Sequence, residues 1–152
     1  MYGFAGGGLP PDIKTVAVLP FENFTSEPTL TQDVNVIVRD AVEGRLGLRT
    51  AGERQADAVV RGTITRYDPD LPVAYTGTPT GQGQQNQVQV TKRLVQLTVT
   101  IEIINQKTGA TLWSKTGMTV EGDYAQGQEL QGRRKALERL ADNIVEGAQS
   151  QW

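Results

Sequence analysis

The sequence contains neither cysteine nor histidine. Their absence excludes disulfides, zinc fingers, thiol nucleophiles and imidazole general bases, and with them most hydrolase, redox and zinc chemistry. Zero cysteine is neutral on compartment, because cytosolic and periplasmic proteins alike can do without it. Aromatic residues are scarce at 6%, and no stretch approaches the ~18 to 20 consecutive apolar residues of a membrane span. Neither sign of charge dominates: 15 Lys and Arg face 17 Asp and Glu, a formal charge of −2. A basic nucleic-acid surface is therefore not expected. No basic segment followed by an apolar one opens the chain, so it reads as a soluble or already processed protein.

What is present is enough for one hydrophobic core in 152 residues, and too little for two. Residues 1–12, with three consecutive glycines at Gly6, Gly7 and Gly8, read as a flexible leader, and residues 13–152 as a single domain. Lys14 to Pro20 is short, β-branched and apolar on both faces, as suits a buried strand ended by proline. Ser26 is a candidate helix cap ahead of Leu30, Val34, Ile37, Val38, Ala41, Val42 and Leu46, which recur at helical spacing. That stripe leaves Gln32, Asn35, Arg39 and Glu43 outside, and Gly47 closes the helix. Ala58 to Tyr67 alternates as a strand.

From Pro69 to Gln87 the chain is rich in Pro, Gly, Gln and Thr with Asp70 as its only charge, which predicts a structureless loop. Val88 to Asn105 returns as a strand whose apolar parity slips between Thr91 and Leu94, as at a bulge or a projecting ribbon. Lys107-Thr-Gly109 makes a turn, Ala110 to Glu121 forms a strand, and Glu129 to Ala148 a helix with Leu137, Leu140, Ala141, Ile144, Val145 and Ala148 on one stripe. One polar sheet face and two one-sided helices predict an α+β two-layer sandwich: a mixed sheet of about four strands, two helices on one face, and a polar hairpin tip at 68–88.

Enzyme signatures are weak. Glu22, Glu27, Asp68, Asp70, Glu102, Glu121 and Asp123 lie near strand ends, but scattered surface acids are the simpler reading, and Asp68-Pro-Asp70 reads as turn chemistry. The glycine triplet lacks the strand and Lys-Ser/Thr of a phosphate loop. Arg133, Arg134 and Lys135 read as a solvated helix face, with Arg134–Glu138 and Arg139–Asp142 as helical charge pairs. Arg66, Lys92 and Arg93 border the long loop, where they either guard strand ends or gather to meet phosphate or carboxylate groups. Trp113 reads as a core aromatic, and Trp152 as covering a core edge or an interface. No cofactor or metal is expected, and no catalysis.

Four segments taken in order resemble a known family. They are Tyr2 to Phe4, Leu9 to Pro28 (LPPDIKTVAVLPFENFTSEP), Ala56 to Tyr67 (ADAVVRGTITRY) and Lys107 to Trp113 (KTGATLW). Together they resemble the LptE family of lipopolysaccharide-assembly lipoproteins across nearly the whole chain. The resemblance implies an α/β sandwich anchored by a lipidated Cys at the periplasmic face of the outer membrane, plugging the LptD β-barrel and helping to deliver lipopolysaccharide. Family members begin with Cys followed closely by Gly-Tyr, so the expectation is a mature domain given without its anchor, with a lipidated Cys preceding Tyr2. On this reading Arg66, Lys92 and Arg93 are candidate contacts to lipopolysaccharide phosphates, and Tyr75, Gln84, Gln85 and Gln87 a partner-facing tip. The first third alone also resembles outer-membrane accessory lipoproteins of the curli-secretion and penicillin-binding-protein-activator type. That alternative leaves the Ala56 to Tyr67 and Lys107 to Trp113 blocks unexplained.

Overall fold

A computed structural model describes residues 9–76 and 89–150. Its elements are β1 (Thr15–Val18), β2 (Glu22–Asn23), α1 (Leu30–Gly44), β3 (Arg49–Thr50), β4 (Ala58–Thr76), β5 (Gln89–Asn105), β6 (Thr111–Ala125) and α2 (Glu129–Ser150). They form one mixed sheet in the order β3-β1-β4-β5-β6, with β2 beside β4. β1 runs parallel to β3 and β4, β2 runs parallel to β4, and β4, β5 and β6 form an antiparallel meander. The α+β sandwich is as expected. Its sheet has six strands rather than about four, because β2 and β3 are two-residue pieces too short to leave an alternation in the sequence.

Both helices bury their stripes against one sheet face. Leu30, Val34, Val38 and Val42 of α1 and Ala136, Leu137, Leu140, Ile144 and Ala148 of α2 share a core with Val16, Val60, Ile64, Val95, Leu97, Val99, Ile101 and Ile103. Fully burying a side chain of this kind contributes about 1.5–3 kcal/mol. Among the described residues the opposite face carries a small buried apolar cluster, Ala17, Ala56 and Val59, with Leu19 and Ala51 packed against it.

Three local expectations change. The first helix begins at Leu30 after Thr29, not at Ser26. Residues 23–27 close on themselves instead: the Thr25 amide donates to Asn23 Oδ1 at 2.9 Å, the Glu27 amide to Thr25 Oγ1 at 3.2 Å, and Asn23 Nδ2 to the Glu27 carbonyl at 2.8 Å. Asn35 is buried rather than outside, for reasons given in the Discussion.

The third change is in β4, which continues through Pro69 and Pro72 to Thr76, where a structureless loop was expected. Two features tolerate the prolines. β1 and β2 pair with β4 only as far as Ile64, so among the described residues the rest of that edge has no ladder partner to lose. Register shifts between Asp68 and Leu71 and between Pro72 and Ala74 absorb the misfit. The parity slip in β5 has the same origin: Pro72 faces Arg93, Ala74 faces Lys92 and Tyr75 faces Val90, so Thr91 is the extra residue. β6 carries its own bulge between Lys115 and Met118, where Gly117 adopts a φ of 66° and donates its amide to Thr100 Oγ1 at 3.1 Å.

Candidate functional site

Strand alternation makes the face turned away from the helices polar from β4 to β6. Its side chains pair across the strands. Arg61 Nε donates to Glu102 Oε2 at 2.7 Å, Gln96 Nε2 to Glu121 Oε2 at 2.8 Å, and the Thr98 and Thr119 hydroxyls lie 3.0 Å apart. Such cross-strand pairs present hydrogen-bonding groups on the open face. The signal was in the sequence as the Gln96, Thr98, Thr100, Glu102 parity of β5, but its partners lie on two other strands.

The three candidate cations are each held by an aspartate. Arg66 Nε lies 2.8 Å from Asp68, Arg93 Nη1 lies 2.6 Å from Asp70, and Lys92 Nζ lies 3.1 Å from Asp123. Lys135 of α2 reaches the same Asp123 at 3.4 Å. The hydrogen bond from Lys92 leads the contacts that hold the Asp123 carboxyl below its ordinary range. Tyr124 completes the Asp70 end: its hydroxyl donates to the Pro69 carbonyl at 2.6 Å, and burial pushes its pKa up.

The three cations do not converge on one point. Arg66 stands opposite Thr98, six residues along β5 from Lys92, which is about 20 Å at ~3.3 Å per residue. Lys92 shares the polar face with Thr98, whereas Arg93 points to the helix side with Val95. They lie at separate places along the ribbon rather than in a single pocket.

Other expectations resolve differently. Arg133 is not part of a solvated face: its side chain is 12% exposed and contacts Asp33 at 3.0 Å, Glu27 at 3.4 Å and the Tyr67 hydroxyl at 3.0 Å. Arg139 donates to the Glu121 carbonyl at 2.6 Å, and Asp142 pairs with Arg45 at 2.6 Å, so the two belong to different contacts. Among the described residues no ion pair joins Arg134 to Glu138. Arg133, Arg139 and Asp142 find tertiary partners that a one-helix reading cannot see. Asp68-Pro-Asp70 lies in a bulge of β4, not in a turn.

Of the seven scattered acids, Glu22 and Glu102 border one recess of the open face, and no cluster of three acidic side chains fit for a metal occurs among the described residues. Trp113 is a core aromatic. Tyr75 lies in β4 opposite Val90; Gln84, Gln85, Gln87 and Trp152 lie outside the described residues.

The family model that matches the chain, LptE, lipopolysaccharide-assembly, covers residues 13–149. No curated protein matches. Solved structures of the same fold include a Xanthomonas campestris protein of the DUF330 family, with a TM-score of 0.57, 10% identity, and coverage of 91% of this chain and 85% of that one. A Chlamydia trachomatis protein follows at 0.53 and 7% identity, covering 90% and 98%. A minor lipoprotein from Acinetobacter baumannii matches at 0.52 and 15%, covering 91% and 94%. At such identities these likenesses concern the fold alone.

Proposed function

Because the chain belongs to the LptE family of lipopolysaccharide-assembly proteins, we propose that it is a non-enzymatic accessory subunit at the periplasmic face of the outer membrane. It plugs the β-barrel of LptD and contacts lipopolysaccharide on its way through. No helix among the described residues is long and apolar enough to cross a membrane, and in this reading an N-terminal lipid supplies the anchor.

The observation that carries the reading beyond membership is the cross-paired polar sheet face. The lumen of an outer-membrane barrel is polar, so a plug must offer it hydrogen bonds and hide its apolar surface. Here the apolar stripes of both helices are spent on one side of the sheet, and the other side is lined with Thr, Gln and paired ions. The ribbon runs on from Asp68 to Thr76, and Tyr75, Gln84, Gln85 and Gln87 are proposed as contacts to the partner. Arg66, Lys92 and Arg93 along the ribbon are proposed contacts to lipopolysaccharide phosphates.

The test is co-purification with the cognate LptD. Replacing Thr98 and Thr119 together by Arg places two unpaired charges on the open face without touching the core. The barrel is then expected to be lost from the purified complex while the variant keeps its thermal midpoint. Full retention of LptD by that folded variant would overturn the plug reading. Replacing Arg66, Lys92 and Arg93 by Ala tests the lipid contact: unchanged lipopolysaccharide binding would remove those residues from it.

A further inference from the structure

The open face is not flat. Between the β1–β2 corner and β6 it sinks into a recess of about 540 Å3. The floor is the backbone of Gly62 and Ile101, and Leu19 and Pro20 form one wall. Around it stand Glu22, Arg61, Thr63, Glu102, Ser114 and Thr116, drawn from four strands or their flanks.

We propose that this recess binds a hydroxyl-rich, unphosphorylated sugar unit. Three observations point there. The volume falls in the ~300–1,000 Å3 range of small-molecule sites. The rim mixes hydroxyls, which both donate and accept, with carboxylate acceptors and a guanidinium donor, as a ring of sugar hydroxyls needs. Among the described residues, the hydroxyls of Thr63, Ser114 and Thr116 and the carboxylate of Glu22 hold no side-chain hydrogen bond, so this capacity is free for a ligand.

The third observation is charge. Arg61 is committed to Glu102 at 2.7 Å, which leaves the recess with the surplus negative charge of Glu22. A phosphate would be repelled there. Anionic and neutral parts of a glycolipid are thus sorted: phosphates toward the cations of the ribbon, neutral sugar toward the recess. An apolar edge completes the site. Leu19 and Pro20 offer a C–H surface.

This inference deepens the proposed function, and rests on it only for the origin of the sugar. The full chain is titrated with a dephosphorylated lipopolysaccharide core oligosaccharide and, separately, with a disaccharide of β-1,4-linked N-acetylated hexosamines, following backbone amide shifts. Shifts centred on Thr63, Glu102 and Ser114 are expected. Ser114→Tyr fills the recess from an exposed position and is expected to weaken binding more than tenfold. Glu22→Gln, which cannot fill it, is expected to weaken binding about tenfold, as for loss of a charged hydrogen bond. Both variants are expected to bind phosphorylated lipid A as before, because the ribbon cations are untouched.

If only the hexosamine disaccharide gives these shifts, the site stands and its sugar comes from the wall glycan. Sugar binding that persists while LptD and lipid A are ignored supports the recess and overturns the plug reading. The absence of shifts with both sugars, or shifts that survive Ser114→Tyr, overturns the recess whatever LptD and lipid A do.

Discussion

Arg133 of α2 donates its Nε to the hydroxyl of Tyr67 on β4 at 3.0 Å, with its guanidinium carbon 5.2 Å from the ring centre. The same guanidinium reaches Asp33 and Thr29 at the start of α1, each at 3.0 Å, so one side chain ties both helices to the strand that leads into the ribbon. Replacing Arg133 by Met keeps the aliphatic stem and removes the charge. Asp33 and Glu27 keep solvent access and the favourable end of a helix dipole, which limits the loss to about 1–3 kcal/mol. Arg133→Lys is expected to recover less than half of it, because an ammonium cannot serve three elements at once. Urea unfolding midpoints measure both; a change below about 0.5 kcal/mol, the size of an ordinary surface pair, would show the network to be ornamental.

Gly147 of α2 lies against the indole of Trp113, and a Cβ built on it would overlap Cε2, Cζ2 and Nε1 of that ring. Gly44, the last residue of α1, has no atom within 4 Å of where its Cβ would stand. The same substitution therefore has opposite signs at the two sites. Gly147→Ala is expected to cost about 1–3 kcal/mol by overpacking, and Gly44→Ala to gain up to about 1 kcal/mol by reducing chain entropy. Thermal midpoints of the two variants, measured side by side, should bracket that of the parent.

Much of this fold was legible because periodicity reports burial. Leu137, Leu140, Ala141, Ile144, Val145 and Ala148 are all buried as their spacing predicts, and α2 begins at Glu129. Asn35 shows where periodicity stops. Pro20 interrupts the chain after β1, leaving the Leu19 carbonyl and the Phe21 amide to be satisfied inside the protein. Asn35 does this from α1, donating to the first at 2.9 Å and accepting from the second at 3.1 Å. No local rule places a polar residue there, since its partners come from another element. Arg133 escaped for the same reason, and β4 runs past its breaker residues because beyond Ile64 its outer edge pairs with no other strand among the described residues. The candidate site was legible in part: the polar parity of β5 announced the open face and Asp68 lies two residues from Arg66 on the same strand, but the aspartate partners of Lys92 and Arg93 appear only once the strands pair.

Asp57 predicts an acid limb of stability. Its Oδ2 accepts the amides of Lys14 and Thr15 at 2.9 and 3.1 Å, and Lys107 lies 3.4 Å from Oδ1. The Lys14 amide is the largest of the influences that lower its pKa from 3.8 to about 2, against a desolvation that opposes them. A carboxyl depressed on folding contributes stability that is whole above its unfolded pKa and is lost as pH falls through the folded one. The contribution should therefore be complete near pH 5 and drain away between roughly pH 4 and 2. Asp57→Asn is expected to be less stable than the parent at pH 7 and to approach it as pH drops. Thermal midpoints at several pH values test this; a gap that stays constant to pH 2 would refute the assignment.

The aspartates that hold the ribbon cations also compete with any phosphate those cations meet. If Arg66, Lys92 and Arg93 bind lipopolysaccharide phosphates, each must first loosen from Asp68, Asp123 or Asp70, at distances of 2.8, 3.1 and 2.6 Å. Exposed pairs of this kind are worth about 0.2–1 kcal/mol. Neutralising the competitor should therefore strengthen lipid A binding by about 1.4- to 5-fold per site and steepen its salt dependence, since an extra unscreened cation faces the ligand. Asp70→Asn is the sharpest choice, because Arg93 has the shortest contact and Tyr124 keeps its bond to the Pro69 carbonyl when the charge is gone. Titration of lipid A at two ionic strengths gives the answer. Weaker binding by Asp70→Asn would mean that the aspartate positions Arg93 for its ligand rather than competing with it, and unchanged binding would remove Arg93 from the lipid contact.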